Sequence, residues 1–249
     1  MMLQLDYIAA TLEGLEDTII FKLIDRAQFS VNPIAYRRGC SGFGPGEQRS
    51  LFQLRLWYQE EMDARFGRFC VPEEVPFATG LPSSSRNVLL PATGLCLHAA
   101  AQVNLTATIL ERYLALIRSI CRNGDDGHYG SSVEHDVYAL QALSRRIHYG
   151  ALYIAESKYR SDPLRYRELI AGNNESGLMM ALTRPLIEEQ ILERVREKIA
   201  HAQAKANTEI RHLIDPEVLL DLYRSTVIPL TKKGEVAYLL NRMPEHGRT

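Results

Sequence analysis

The stretch "LSRRIHYGALYIAESKY", residues 143–159, places two adjacent arginines, a histidine and a lysine among apolar, helix-prone neighbours. Its apolar residues, such as Leu152 and Ile154, look like parts of a core. The cations are Arg145, Arg146, His148 and Lys158. Because charged side chains are rarely buried, spacing alone predicts that these cations lie on the exposed side of a long helix.

Helical periodicity extends over most of the chain on both sides of this stretch. The first amphipathic helix is predicted from near Leu5 to about Phe29, because its apolar residues step by three and four. Further helices are predicted over residues 51–69, 103–120, 132–158, 163–171, 174–182, 185–207, 216–228 and 231–243. The segment 71–94 is dense in Pro, Ser and Gly and is predicted to be irregular. No segment alternates with period two for long enough to form a sheet. The sequence predicts an all-α bundle of about ten to twelve helices in a single domain, residues 1–249.

Composition excludes several classes of function. The 249 residues include 29 Lys and Arg against 30 Asp and Glu, so no basic surplus is available for nucleic acid or anionic lipid. The N-terminus has no basic region or small-residue cleavage site, and no apolar run reaches membrane-spanning length. Its 4 cysteines lack CxxC or histidine spacing, which argues against disulfides and metal sites. These features predict a reduced, cytoplasmic protein that binds neither nucleic acid nor membrane.

Motifs for several common catalytic chemistries are also missing. The 7 histidines show no metal-binding spacing, and neither a G-x-G-x-x-G motif nor a P-loop is present. His148 has no accompanying serine or cysteine nucleophile motif, so it is interpreted as a structural histidine. The sequence therefore predicts no metal and no nucleotide cofactor.

Charged residues near apolar faces occur in two further helices. In "IPLTKKGEVAYLL", Thr231 and Glu235 are four residues apart and project from one helix face. Gly234, inside the same helix, indicates that another segment approaches closely. In "TRPLIEEQILERV", Glu188 falls in the first turn after Pro185, where an acid complements the helix dipole. Spacing alone does not assign a reaction to these residues.

Five segments occur in the order in which they appear in a known enzyme family. They are "LEDTIIFKLIDRAQF" (15–29), "YGSSVEHDVYALQALSRRIHYG" (129–150), "AESKYRSD" (155–162), "IEEQILERV" (187–195) and "VIPLTKKGEVAYLLNR" (227–242). Together they resemble the helical chorismate mutases, in the longer form known from fungi and plants, with residues 38–125 matching least. The resemblance implies a homodimeric isomerase that rearranges chorismate to prephenate, in phenylalanine and tyrosine biosynthesis, without a cofactor.

The resemblance also implies roles for individual residues. Arg146 would pair with a substrate carboxylate, and Lys158 would reach a carboxylate and the ether oxygen. Glu188 would form a hydrogen bond with the ring hydroxyl, and Thr231 would lie beside Glu235. Glu235 would be protonated, because a carboxylate would repel the negative charge that develops on the ether oxygen. We therefore expect activity to decline as pH rises through neutrality.

One departure from the family pattern concerns the charge of the site. The family carries a substrate-binding arginine seven residues before the position of Glu16, and this chain has Ala9 there. Arg184, four residues before Glu188, stands where fungal members carry asparagine. Arg184 is predicted to supply the missing positive charge from another direction, as a substrate-binding residue.

A second departure concerns helical spacing. Arg146 and Lys158 are twelve residues apart, whereas the family has eleven, and one extra residue rotates Lys158 by about 100° on an ideal helix. A π-bulge near residues 150–153 is predicted to absorb the extra residue.

The regulatory site of the fungal members is degenerate in this chain. Gly130 and Ser131 match its Gly-Ser-x-x-Thr stretch, but Glu134 stands in the threonine position. Only Arg68 remains of its arginine pair, preceded by Gly67. Because the Glu134 carboxylate would repel the carboxylate of an amino-acid effector, feedback is predicted to be weak or absent.

Two alternatives to a chorismate mutase stay open at this point. One is a non-catalytic or weakly active homologue that keeps the fold, which Ala9 and the extra residue would explain. The other is an enzyme acting on isochorismate, since both substrates present two carboxylates and an ether oxygen.

Overall fold

The computed structural model describes residues 3–97 and 103–243, and within them the chain forms helices and no strands. The helices are α1 (Leu5–Arg26), α2 (Leu51–Arg65), α3 (Thr106–Ile120), α4 (Tyr129–Ser161), α5 (Pro163–Ala171), α6 (Glu175–Leu182), α7 (Pro185–Gln203) and α8, which comprises Pro216–Leu222, a π-helical turn Tyr223–Val227, and Ile228–Leu240. Short 3₁₀ turns lie at Pro33–Tyr36 and Arg68–Cys70. The all-α prediction is confirmed.

The predicted number of helices is wrong, because the described residues contain eight helices rather than ten to twelve. Residues 216–228 and 231–243 were expected to form two helices, whereas they form one. Pro229 lacks the N–H that an α-helix requires and its ring crowds the preceding turn. The chain instead widens into the π turn, where the Ile228 N–H donates to the Tyr223 carbonyl five residues earlier.

Helix α4 lies at the centre of the protein, and most of its middle and C-terminal residues are buried. A helix that is apolar nearly all round is stable only when other helices cover it. Helices α1 and α8 pack along it, and α2 and α3 cover its N-terminal half. Buried residues of α1 and α4 belong to both hydrophobic clusters of the core. Arg146, in the middle of α4, consequently lies inside the bundle.

Two glycines allow α4 and α8 to cross at short distance. A Cβ atom on Gly150 would lie 2.7 Å from Thr231 Cγ2, and one on Gly234 would lie 2.5 Å from Ala151 Cβ. Both distances are shorter than side chains tolerate, so any larger residue would push the helices apart. The close approach that Gly234 indicated is therefore present, and it brings side chains of α4 and α8 together.

The short helices α5 and α6 pack against α8, and α5 also contacts α4. The Asp162, Asn174 and Asp215 side chains accept hydrogen bonds from N–H groups at the starts of α5, α6 and α8. Pro185 starts α7, as its position in the sequence predicts. This arrangement fixes the first turn of α7, which carries Glu188, beside α8.

Hydrogen bonds to two buried carboxyl groups anchor the irregular segment after α2. Glu60 accepts hydrogen bonds from the backbone N–H groups of Phe77 and Ala78, at 2.9 and 2.6 Å for the shorter contacts. Glu73 accepts a hydrogen bond from the Tyr153 hydroxyl on α4, at 3.3 Å. In the described part of the chain, none of the helices has the length and apolar character needed to cross a membrane.

Candidate active site

Among Arg145, Arg146 and Lys158, Arg146 is the most deeply buried, with a side chain 3% exposed. Its Nε and Nη1 have no hydrogen-bond partner among the described residues, and Nη2 lies 3.9 Å from Glu16 Oε1. Burial lowers the pKa of Arg146, because desolvation penalises its charge. The expectation that these cations lie on the surface is wrong for Arg146 and His148, since neighbouring helices cover both side chains. A buried guanidinium with free donors is a strong site for a carboxylate.

Glu16 on α1 is shared among three cations. Arg194 donates two hydrogen bonds to it, at 2.9 and 2.8 Å, and Lys198 Nζ lies 3.4 Å from Oε2. The charge of Glu16 is therefore largely committed elsewhere, and Arg146 keeps capacity for an added anion. Sequence reasoning missed Glu16, Arg194 and Lys198 as parts of this network. The signal was an acid within the apolar stripe of the first helix, facing two cations four residues apart on the predicted helix 185–207.

Lys158 reaches the same region from the C-terminal end of α4. Its Nζ donates to Glu235 Oε2 at 3.0 Å and to the carbonyl oxygen of Leu182, the last residue of α6, at 2.9 Å. The predicted π-bulge is wrong, because α4 is α-helical from Tyr129 to Ser161. The flexible four-carbon stem of the lysine compensates for the rotation, since it carries the ammonium around the helix to Glu235.

Glu235 is a buried carboxyl group, 3% exposed, that faces this ammonium. Burial raises the pKa of Glu235 to about 7, and the nearby charge of Lys158 opposes that rise. The group is thus largely protonated below neutrality and can donate a hydrogen bond. Thr231, one turn earlier on α8, is also buried, and its hydroxyl donates to the Val227 carbonyl at 2.8 Å. Its oxygen remains available as an acceptor.

Glu188 lies in the first turn of α7 and faces α8. Both of its carboxylate oxygens accept hydrogen bonds from Lys232 Nζ, at 3.0 and 3.2 Å. Arg184, the N-cap residue of α7, is exposed. Both Arg184 and Glu235 influence the pKa of Tyr166, which burial raises, so Arg184 lies at the margin of the site.

Tyr223 begins the π turn of α8 and is fully buried. Its hydroxyl has no partner among the described residues, and it lies close enough to Arg146 for each group to influence the pKa of the other. Polar atoms without partners therefore gather at the crossing of α4 and α8. Such atoms are costly in a protein interior unless a ligand or water satisfies them.

His148 lies two residues after Arg146, on another face of α4, and serves the packing of the helices. Its Nε2 accepts a hydrogen bond from the Leu105 N–H at 3.1 Å, and its Nδ1 lies 2.8 Å from the Ser144 carbonyl oxygen. Burial lowers the pKa of His148 to about 4, so the ring is neutral. Both nitrogens are occupied, which agrees with a structural histidine.

The residues that resemble a regulatory site do not meet within one chain. Arg68 pairs with Asp63 at 3.0 Å and with Glu74 at 2.9 Å, and it donates to Gln141 at 2.6 Å. Gln141 is ten residues along α4 from Ser131, about 15 Å. Gly130 and Ser131 are exposed in the first turn of α4.

Glu134, in the position of the threonine, pairs with Arg55 at 3.2 Å. Among the described residues no cluster of histidine, cysteine or acidic side chains has metal-binding geometry, and His98 and His246 lie outside those residues. Ala9 is exposed on α1, so no cation is contributed at that position.

Comparisons with known proteins show the family of the chain. The chain is 36% identical over 258 residues to chorismate mutase 2 of Petunia hybrida, covering 99% of this chain and 96% of the relative. It is 35% identical over 252 residues to the chorismate mutase of Saccharomyces cerevisiae, covering 98% and 97%. The structure superimposes on a Candida albicans chorismate mutase in complex with L-Trp with a TM-score of 0.89 and 30% identity, covering 99% and 94%. No protein-family model matches the chain. Near-complete coverage at these identities shows that the chain belongs to the chorismate mutase family of isomerases.

Proposed function

We propose that the protein rearranges chorismate to prephenate at the crossing of α4, α7 and α8. The observation that carries the proposal is the buried Arg146 with free donors, beside a Lys158–Glu235 pair in which burial favours the protonated carboxyl. A buried cationic site of this kind suits a small dianion that also needs a hydrogen-bond donor.

The reaction requires no reagent beyond the substrate. The ether C–O bond breaks while a new C–C bond forms between the enolpyruvyl end and the ring, and all atoms stay in one molecule. The protein therefore contributes by holding the compact reactive conformer and by stabilising the negative charge that builds on the ether oxygen.

Lys158 and protonated Glu235 supply this stabilisation. Lys158 Nζ donates to Glu235 Oε2 at 3.0 Å, which leaves Oε1 to carry the proton, so the ammonium and the carboxyl O–H can both face one oxygen atom. Arg146 binds a substrate carboxylate through its free Nε and Nη1, and the buried Thr231 lies beside it across Gly150. The contacts of Lys158 and Glu235 with the ether oxygen strengthen as negative charge builds on that oxygen, and catalysis requires contacts that are stronger in the transition state.

Glu188 and Arg184 bind the outer side of the substrate in this proposal. Glu188 accepts a hydrogen bond from the ring hydroxyl, and Arg184 adds positive charge at the entrance, where Ala9 contributes none. If the Arg184→Ala variant has an unchanged KM, Arg184 does not bind the substrate.

We also propose a homodimer in the cytoplasm. Helix α2 and the residue that follows it expose an apolar stripe, whose members are 48% to 70% exposed and which a second copy of the chain would cover. The stripe consists of Tyr58, Met62 and Phe66. The cysteines are free, in keeping with a reducing compartment. Light scattering would show twice the chain mass of 28.2 kDa for a dimer.

Feedback by aromatic amino acids is proposed to be weak or absent. The Candida albicans relative was solved in complex with L-Trp, but in this chain Arg68 is already paired with Asp63 and Glu74. Glu134, paired with Arg55, adds a carboxylate that would repel the effector.

The test compares Lys158→Ala with Lys233→Ala, a control at an exposed lysine that makes no ion pair with any described residue. Loss of chorismate absorbance is followed, and prephenate is identified as the product. We expect kcat/KM to fall at least about 100-fold in Lys158→Ala and to stay unchanged in the control. Absence of turnover by the wild type would favour a non-catalytic homologue, and turnover of isochorismate alone would favour the other substrate.

A further inference from the structure

Lys232 follows Thr231 on α8, and its side chain crosses to α7. Its Nζ contacts both oxygens of Glu188, at 3.0 and 3.2 Å, with the lysine side chain 19% exposed and the glutamate 27% exposed. The neighbouring Lys233 is exposed and makes no ion pair with the described residues. The Lys232–Glu188 pair is thus a partly buried ion pair between two helices, and it contributes more to stability than a fully solvated pair does.

Lys232 also lies close to the interior of the site. Burial raises the pKa of Glu235, and three cations lower it: Lys158, Lys232 and Arg146. The Lys232 ammonium is therefore near enough to Glu235 to stabilise the charged form of its carboxyl group. It stands between Glu188 at the outer side of the site and Glu235 inside it.

A dianionic substrate meets a difficulty at Glu188. The carboxylate repels the substrate's own carboxylates, yet it must approach the substrate closely to accept a hydrogen bond from the ring hydroxyl. An ammonium held on both oxygens offsets that negative charge. Each carboxylate oxygen keeps a lone pair that can accept the hydroxyl proton, since an ionised carboxylate offers about four acceptor positions.

We propose that Lys232 is a positioning residue, which holds Glu188 by both oxygens as the acceptor for the substrate's ring hydroxyl and so selects the position of that hydroxyl. Chorismate and isochorismate differ in where the hydroxyl is attached, and a fixed acceptor distinguishes them. This inference rests on the proposed function and adds the residue that determines specificity within it.

The experiment is a double-mutant cycle of Lys232→Met and Glu188→Gln, with Lys233→Met as the matched control. The measurement is kcat/KM for chorismate and for an analogue of chorismate that lacks the ring hydroxyl. We expect Lys232→Met to lower kcat/KM for chorismate about tenfold to a hundredfold, as misplacement of a contact does, while the control is unchanged. The double variant is expected to be no worse than the poorer single variant, and the analogue to be unaffected by Lys232→Met. Lys232→Arg, which keeps a cation on Glu188, is expected to recover part of the loss.

Three results would overturn the inference. They are an unchanged kcat/KM in Lys232→Met, losses that multiply in the double variant, and an equal loss with the analogue that lacks the hydroxyl. Losses that multiply would mean that Lys232 acts without Glu188, and an equal loss with the analogue would mean that its effect does not depend on the ring hydroxyl. Circular dichroism checks that the variant folds, and Lys232→Gln provides the same test if the methionine variant does not. Wild-type turnover of chorismate with an unaffected Lys232 variant rejects this inference alone, whereas absent wild-type turnover rejects the proposed function with it.

Discussion

Replacing Glu235 by glutamine tests the electrostatic account of catalysis most directly. The pKa of Glu235 is about 7 in the free protein, because burial disfavours its charged form more than Lys158 favours it. The protonated fraction then falls from about 90% at pH 6 to about 10% at pH 8. We expect wild-type kcat/KM to fall about tenfold over this interval. Glutamine donates an N–H at every pH, so the fall is expected to disappear in Glu235→Gln.

The assay is the initial rate of chorismate consumption at several pH values, with Glu189→Gln, an exposed acid on α7, as the control. The profile of kcat is expected to lie at higher pH than that of kcat/KM, because a bound dianion raises the pKa of Glu235 further. A wild-type rate that rises toward alkaline pH would refute the reasoning. So would a Glu235→Gln variant that keeps the wild-type decline.

Stability gives a second measurement of the same group. A carboxyl whose pKa rises from 4.5 to about 7 on folding binds more protons in the folded state between these values. The contribution of this group to the free energy of unfolding is therefore largest below about pH 4.5 and is lost as pH rises through 7, a change of about 3 kcal/mol. Urea denaturation at about pH 5 and about pH 8 is expected to show a smaller decline for Glu235→Gln than for the wild type. Equal declines in both proteins would contradict the pKa assigned to Glu235.

The remaining predictions concern packing, anion binding and regulation. Gly234→Ala is expected to lower the free energy of unfolding by about 1–3 kcal/mol, because its Cβ would lie 2.5 Å from Ala151 Cβ. Gly14→Ala, at an exposed helical position with open space, is expected to raise the free energy of unfolding by about 0.5–1 kcal/mol. Urea denaturation measures both variants, and a similar change in the two would contradict the close crossing of α4 and α8. Arg146→Met is expected to lower kcat/KM at least about 100-fold. It is also expected to abolish the increase in Tm that a dicarboxylate transition-state analogue causes. If the variant retains this increase in Tm, Arg146 does not bind a carboxylate. Tyrosine, tryptophan and phenylalanine at about millimolar concentration are expected to leave the initial rate unchanged, whereas inhibition at micromolar tyrosine would show that Glu134 does not block the effector.

The π turn in α8 shows where local reasoning misplaced a feature. The extra residue between Arg146 and Lys158 suggested a π-bulge in α4, but α4 is regular and the π turn precedes Pro229 in α8. Proline imposes a local steric requirement that a widened turn can meet. A rotated lysine imposes none, because its long side chain can bend toward its partner.

The sequence by itself determined the all-α class and the faces on which functional residues lie. Helical periodicity is a local property, so the spacing of Thr231 and Glu235 sufficed to place them on one face of α8. The close approach at Gly234 followed from the same local reasoning, since glycine in a helix interior needs a compensating contact.

Only the tertiary structure decided which charges are buried and which partners they have. Arg145 and Arg146 are adjacent in sequence, yet one is 46% exposed and pairs with Glu74, while the other is enclosed with free donors. The Lys232–Glu188 pair likewise depends on where α7 begins relative to α8. Burial and pairing arise from contacts between helices far apart in the chain, and spacing along a single helix carries no information about them.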